Sequence, residues 1–318
     1  GRLSSDLGRN ARVAFYAKGR LKGATLLTLA YDSAKQRSDQ ALLGAIDPRA
    51  YYTVYADAST RRFDAASRER LYVRIEGRAF TALFGDFETG FAQTLLARYN
   101  RIATGAKAEF NNGRLHAQVF ATRVAGRHRR IELQGAGITG PYRLGREPVI
   151  PNSEIVTLEV RDRLRSEVII ERRPLTRFLD YDVDLLAGTL TFKQPVLSRD
   201  AALNPQFIVV DYDIDPGTTA SGAVNAGLRT DWTTRDGRLR VGATAVTDQG
   251  DAARTTLGAT DLRFRPDART EIRAEGAVSA KAGATASAWL IEAERRDGQV
   301  LLLAYARSAD AAFGLGQL

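Results

Sequence analysis

A chain of 318 residues with 44% hydrophobic content can build one large barrel or two soluble domains, and it has no apolar run of the roughly eighteen residues that a membrane-crossing helix needs. Its lack of Cys removes disulfide frameworks, thiol nucleophiles and Cys-based metal sites together. The net charge of +9 rests on 46 basic residues, mostly Arg, but these alternate with Glu and Asp instead of forming the patch or basic tail of a nucleic-acid binder, so no nucleic-acid partner is expected. The chain also has no Met, and is therefore expected to be a piece of a longer protein with no signal peptide to look for.

In chain order, Arg12 to Lys18 and Leu21 to Asp32 predict a first hairpin around Lys18-Gly19-Arg20, with Leu21, Gly23, Thr25, Leu27, Leu29 and Tyr31 sharing a face. Ser33 to Arg70 reads as a long polar loop holding Tyr51, Tyr52 and Tyr55. Leu71, Val73 and Ile75 then alternate with Tyr72, Arg74 and Glu76, and after Gly77-Arg78 the chain returns through Phe80, Ala82 and Phe84, a tight hairpin. Arg98 to Phe110 puts Ile102, Thr104, Ala106, Ala108 and Phe110 on one side and Arg101, Lys107 and Glu109 on the other. Asn111-Asn112-Gly113 turns it into a partner strand from Leu115, because Asn and Gly both tolerate left-handed backbone.

Between about Arg127 and Gly217 the texture changes. Seven of the nine Pro lie here, among dense β-branched runs such as Ile155-Val156-Thr157-Leu158 and Phe207-Ile208-Val209-Val210, which describes a compact soluble β-domain. From Ala220 the long alternation resumes in six further strands: Ala220 to Trp232, Leu239 to Val246, Thr256 to Phe264, Ala268 to Val278, Thr285 to Ala293 and Val300 to Ala306. In Ala268 to Val278 the even positions are small or apolar while Arg269, Glu271, Arg273 and Glu275 fill the odd ones. That period of two places a greasy face against a charged one, over a length nearer the nine to eleven residues of a bilayer-crossing strand than the five or six of a soluble one.

The expected fold is all-β: an antiparallel transmembrane β-barrel of about twelve strands, with residues 1–126 and 218–318 forming the wall and 127–217 an inserted small soluble β-domain. Alternating the strands sorts short connections to one side and long ones, including the insertion, to the other, as in outer-membrane barrels. The competing reading is a soluble all-β adhesin or scaffold whose inserted domain binds a partner or glycan, since polar-out, apolar-in strands alternate in the same way.

One segment is more specific than alternation. Leu175-Thr176-Arg177-Phe178-Leu179-Asp180-Tyr181-Asp182-Val183-Asp184-Leu185-Leu186-Ala187-Gly188-Thr189-Leu190-Thr191-Phe192 resembles a recurring L-x-R-G-x-D-Y-x-I-D-Y-x-x-G-T-I-x-F element of large bacterial outer-membrane β-barrel proteins, among them the type IX secretion translocon and repeat-bearing proteobacterial surface proteins. Flanking Pro151-Asn152-Ser153-Glu154 and Asn204 to Tyr212, and the terminal Phe313 to Gln317, are similar as well. Phe178 departs from the pattern, which has Gly there. The resemblance implies an outer-membrane location and barrel architecture, with no secretion role attached.

The expected lumen lining is Arg74, Glu76, Arg101, Lys107, Glu109, His116, Arg229, Asp231, Arg240, Arg269, Glu271, Arg273, Glu275, Glu292 and Glu294, whose Arg excess favours an anionic solute. Asp180, Asp182, Asp184, Asp211, Asp213 and Asp215 are candidate Ca²⁺ ligands, weighed against plain turn chemistry. His116 and His128, the two histidines, lack metal-site spacing, and no nucleophile motif or cofactor-binding signature is present, so neither enzyme activity nor a cofactor is expected. Tyr51, Tyr52, Tyr55, Phe84, Phe87, Phe91, Tyr99, Trp232 and Trp289 are candidate girdle aromatics at a lipid interface. The expected partners are the outer-membrane bilayer and an extracellular partner or anionic solute.

Overall fold

The computed structural model describes residues 13–33 except 22, 52–55, 61–64, and 70–315 with gaps at 124–125, 146, 151–152, 165, 167, 186, 215–223, 250–252 and 299. The strands in chain order are β1 (Ala14–Leu21), β2 (Thr25–Asp32), β3 (Tyr52–Tyr55), β4 (Arg61–Asp64), β5 (Leu71–Glu76), β6 (Phe80–Glu88), β7 (Ile102–Asn111) and β8 (Leu115–Arg123). They continue with β9 (Arg127–Gln134), β10 (Tyr142–Arg143), β11 (Ile155–Arg161), β12 (Ile169–Leu175), β13 (Tyr181–Asp184), β14 (Thr189–Phe192) and β15 (Gln206–Ile214). The last six are β16 (Val224–Thr233), β17 (Leu239–Asp248), β18 (Thr255–Phe264), β19 (Thr270–Lys281), β20 (Ala284–Asp297) and β21 (Val300–Ala309). Among the described residues there is no helix, and every named strand pair is antiparallel.

One twelve-stranded sheet dominates, in the order β1-β2-β5-β6-β7-β8-β16-β17-β18-β19-β20-β21. Strands β8 and β16 pair directly from Val224↔Arg123 to Trp232↔Leu115, so everything between them leaves and re-enters the wall at one point. Those intervening residues form a four-stranded sheet, β12-β11-β15-β9, and a three-stranded one, β10-β14-β13. The two sheets share a core that includes Val156, Ile208 and Val210 from the first and Tyr181, Leu190 and Phe192 from the second. Each such buried side chain stabilises by about 1.5–3 kcal/mol, which explains why bulky β-branched runs concentrate here and not in the wall.

All six connections at one end of the wall are short. At the other end lie the connections 33–70, 89–101, 124–223, 249–254 and 282–283. The last differs from the expected sorting: Ala282 and Gly283 both have positive φ and close β19 to β20 as a two-residue turn. The first hairpin is also displaced. β1 runs straight through Lys18-Gly19-Arg20 and reverses at 22–24, where Gly23 takes φ 78°. The stretch expected as a plain loop before β5 contains the β3–β4 hairpin, while Tyr51, Asp215 and the start of the strand predicted from Ala220 lie outside the described residues.

The wall does not close on itself. Strands β1 and β21 are its two edges and are not paired with one another. The 89–101 connection crosses one face of the wall. Its stem, closed by the Phe91↔Tyr99 bridge, lies over β8 and β16, where Phe91 and Tyr99 pack on Phe120 and the Tyr99 hydroxyl accepts from Asn225. Its tip donates Leu95 N–H to Glu275 of β19, three strand spacings further on.

The Leu175–Phe192 element forms the β13–β14 hairpin, with Tyr181 opposite Phe192 and Gly188 in the reversal at φ 60°. Phe178, where the resembling pattern has Gly, sits in left-handed backbone at φ 69°. Its ring lies 5.1 Å from the Arg177 guanidinium, an exposed contact that returns little. Phe178→Gly is accordingly expected to raise the unfolding free energy by about 1 kcal/mol, since only Gly adopts this backbone without a Cβ clash. A lower denaturant midpoint in the variant would rule that out.

Candidate functional site

Successive residues of each wall strand point to opposite faces, and the two faces differ sharply in chemistry. On β16 the inner positions are Asn225, Gly227, Arg229 and Asp231, and the outer ones Val224, Ala226, Leu228, Thr230 and Trp232. On β19 they are Glu271, Arg273, Glu275, Ala277 and Ser279 against Ile272, Ala274, Gly276 and Val278. Burial runs opposite to that of a soluble sheet. The Arg229 side chain is 1% exposed, while Leu228 is 47%, Val278 54% and Ile291 51% exposed.

Arg229 organises the inner face. Its Nε donates to Asp231 at 3.1 Å, and its Nη1 donates to Thr244 Oγ1 at 2.6 Å and to Asp261 at 3.0 Å. Its Nη2 reaches Asp261 at 3.2 Å, and Arg240 holds Asp231 from the other side at 2.9 Å. A cation taken out of water survives only when its donors are met this way. Room for it comes from Gly242, where a Cβ would stand 2.5 Å from Asp261 and 2.8 Å from the Arg229 guanidinium. His116 Nδ1 lies 3.6 Å from Asp231. A second knot has Glu271 at its centre, accepting from Arg263, Arg265 and Arg273 at 2.6–2.8 Å, with Glu292 at 3.9 Å from Arg273. Arg74–Glu76, Lys107–Glu109 and Arg296–Glu294 pair along the same face.

The connection 89–101 lies over this face. Phe91, Tyr99 and Phe120 stack with Phe87 into a buried aromatic cluster, and Gly227 leaves the space they fill, since a Cβ there would stand 2.4 Å from Phe120. Phe87, Phe91 and Tyr99 are therefore interior side chains, not girdle aromatics, whereas Phe84, Trp232 and Trp289 stand exposed. The side chains of Tyr52 and Tyr55 of β3 lie outside the described residues. Leu95 and Leu96 N–H both donate to Glu275 at 2.9 Å and pin the tip.

Two residues expected along the lumen sit elsewhere. Arg269 precedes β19 and pairs with Asp297 at the turn end, exposed. Arg101 precedes β7 and is buried where the wall meets the insertion. It donates to Asp213 at 2.8 Å and lies 3.5 Å from Asp248, whose neighbour Asn225 bonds both Asp248 and the Tyr99 hydroxyl. Across Asp213 stands His128, with Nδ1 3.2 Å from Asp213 and Nε2 3.4 Å from Asp211, and Arg130 donates to Asp211 at 3.0 Å. This buried chain of alternating charge was not expected from the sequence. The one available signal was the conjunction of Arg101 and the lone His128 with an Asp-rich strand.

Five of the six candidate Ca²⁺ ligands are engaged by protein groups, and Asp215 lies outside the described residues. Asp211 and Asp213 are neutralised by Arg101, Arg130 and His128, Asp180 and Asp184 accept backbone N–H groups in their turns, and Asp182 pairs with Lys193. Among the described residues no group of His, Asp or Glu is arranged to hold a metal ion.

Burial alone would lower the His128 pKa, but hydrogen bonding to Asp211 and Asp213 outweighs it and the value is raised. Burial would raise that of Asp213, but the Arg101 charge and His128 hold it below the usual carboxylate range. A raised His contributes stability in full below its ordinary value of about 6.5 and loses it as pH rises through the folded value. A depressed Asp contributes above its ordinary value of about 3.9 and loses it as pH falls through the folded one. Stability should therefore be flat between about pH 4 and 6.5 and decline on the alkaline side, and His128→Gln should flatten that decline. Denaturant midpoints from pH 5 to 9 with the same slope in both proteins would refute this role. Comparison with protein-family models and with curated proteins finds no match to this chain.

Proposed function

We propose that the twelve-stranded sheet is the wall of a transmembrane β-barrel in a bacterial outer membrane, with the Arg/Glu/Asp face turned to the lumen and the insertion carried at the long-connection end. The observation that carries this reading is the inversion of the two faces: large apolar side chains stand exposed on the outside, while the largest fully buried side chain among the described residues is Arg229 inside. Hydrocarbon is the solvent in which that arrangement is favourable, because it rewards the outer face and leaves ion pairs on the inner one. The resemblance of the Leu175–Phe192 element to outer-membrane barrel proteins points the same way. Strands β1 and β21 offer unpaired edges, which a membrane wall must close by mutual pairing or with further strands. Arg229, Arg240 and Arg263 on this face are matched by Asp231, Asp261 and Glu271, so a lumen lined by them would be polar and charge-balanced.

The only two Trp of the chain, Trp232 and Trp289, are both exposed on the outer face. After reconstitution into lipid vesicles their emission should shift to the blue and be quenched by brominated acyl chains. A chain that is monodisperse in plain buffer, with Trp emission indifferent to brominated lipid, is the soluble adhesin or scaffold instead.

A further inference from the structure

A cleft of about 800 Å³ opens between the tip of the 89–101 connection, strands β9 and β11 of the insertion, and the paired ends of β20 and β21. This lies within the usual range for a small-molecule site. Arg98, Arg130, Arg161 and Arg307 line it, facing Glu132 and Glu159. Three of the surrounding cations are already engaged: Arg161 holds both Glu132 and Glu159, Arg172 holds Glu159, and Arg130 holds Glu132 and Asp211. Arg98 is different. Among the described residues no carboxylate pairs with it, and its buried Nε has no hydrogen-bond acceptor. Burial first, then the charges of Arg130 and Arg172, against the opposing pull of Asp211 and Glu159, push it down to about 10, so it stays protonated at neutral pH. Five guanidiniums, counting Arg172, thus share three carboxylates, with the surplus pointed into the cleft. The same lining includes the apolar side chains of Leu95, Leu96, Ile169 and Leu290.

We propose that this cleft binds an anionic amphiphile, a phosphate or carboxylate head seated on Arg98 and a short alkyl chain along Leu96 and Leu290. A planar guanidinium with free donors takes an oxyanion in a two-pronged grip, and the apolar wall shelters the chain. The shared chemistry has two sources, a free amphiphile or a phospholipid headgroup, and binding does not depend on the bilayer reading of the wall.

The test is calorimetric titration of the whole chain with hexyl phosphate, inorganic phosphate and hexanol, in nonionic detergent or in plain buffer according to which keeps the protein monodisperse. Hexyl phosphate is expected to bind at least tenfold tighter than either half alone. Arg98→Gln should weaken it at least tenfold, Leu96→Gln should reduce it to the level of inorganic phosphate, and Arg199→Gln, an exposed arginine in a turn of the insertion, should leave it unchanged. Competition by phosphatidic acid in mixed micelles identifies a lipid as the source, and its absence a soluble amphiphile; both support the site. Absent saturation, equal affinity in wild type and Arg98→Gln, or inorganic phosphate binding as tightly as hexyl phosphate would overturn it. Such a failure leaves the quenching experiment on Trp232 and Trp289 untouched.

Discussion

If the outer face of the sheet contacts lipid, as proposed, Leu228→Arg should destabilise the protein refolded into lipid vesicles by about 2–4 kcal/mol, the cost of a cation near the bilayer midplane. Leu228 lies at the centre of β16, opposite Val119 and Ala245 in the neighbouring strands, on the exposed apolar face. In water the same change at an exposed site stays within about 0.5 kcal/mol. Val300→Arg, at the turn end of β21, provides the depth control, with an expected cost of about 0–1 kcal/mol near the interface. Urea titration of folding, read by mobility before and after heating, measures both. Equal costs at the two positions would mean that the outer face does not contact a bilayer, because the cost of a buried cation there depends on depth.

Arg101→Ala should cost about 3–5 kcal/mol, because it leaves the buried Asp213 carboxylate without its main counter-charge. The effect is local to the junction: residues 89–101 and the first turn of the insertion should lose hydrogen-exchange protection first, ahead of the β16–β20 ladder. Removing both charges in Arg101→Met with Asp213→Leu should cost less than the sum of the single changes by about 1–3 kcal/mol, since the two groups are in contact. His128 then loses one acceptor and keeps Asp211, which sets the residue left in the double variant. A single-variant cost under about 1 kcal/mol would mean that the insertion is not clamped to the wall through this pair.

Much of the wall was legible because its rule is local. Each strand from β16 to β21 begins and ends within a few residues of where alternation places it, and the faces assigned to Arg229, Asp231, Glu271, Arg273 and Glu275 are the ones they occupy. Turn chemistry was less reliable. Lys18-Gly19-Arg20 contains a Gly and two charged residues yet continues as strand, because pairing with β2 across Leu27 and Thr28 is satisfied there and Gly23 supplies the reversal later. The aromatics misled for a different reason. Phe87, Phe91 and Tyr99 sit near strand ends, as girdle residues do, but the connection that carries them folds inward over Phe120.

Sequence alone therefore determined most of the strands of the large sheet and the chemistry of their faces, though not the β3–β4 hairpin or the first reversal, since a period of two is a property of the backbone that needs no knowledge of neighbours. Tertiary structure decided everything that depends on which distant residues meet. It set Arg101 against Asp213, 112 positions apart, and brought the Leu95 and Leu96 amides to Glu275. It also left Arg98, among the described residues, without a paired carboxylate in a cleft made by three separate parts of the chain. Those contacts follow from register summed over many strands, and a slip of one residue would turn the strand-borne charges to the other face.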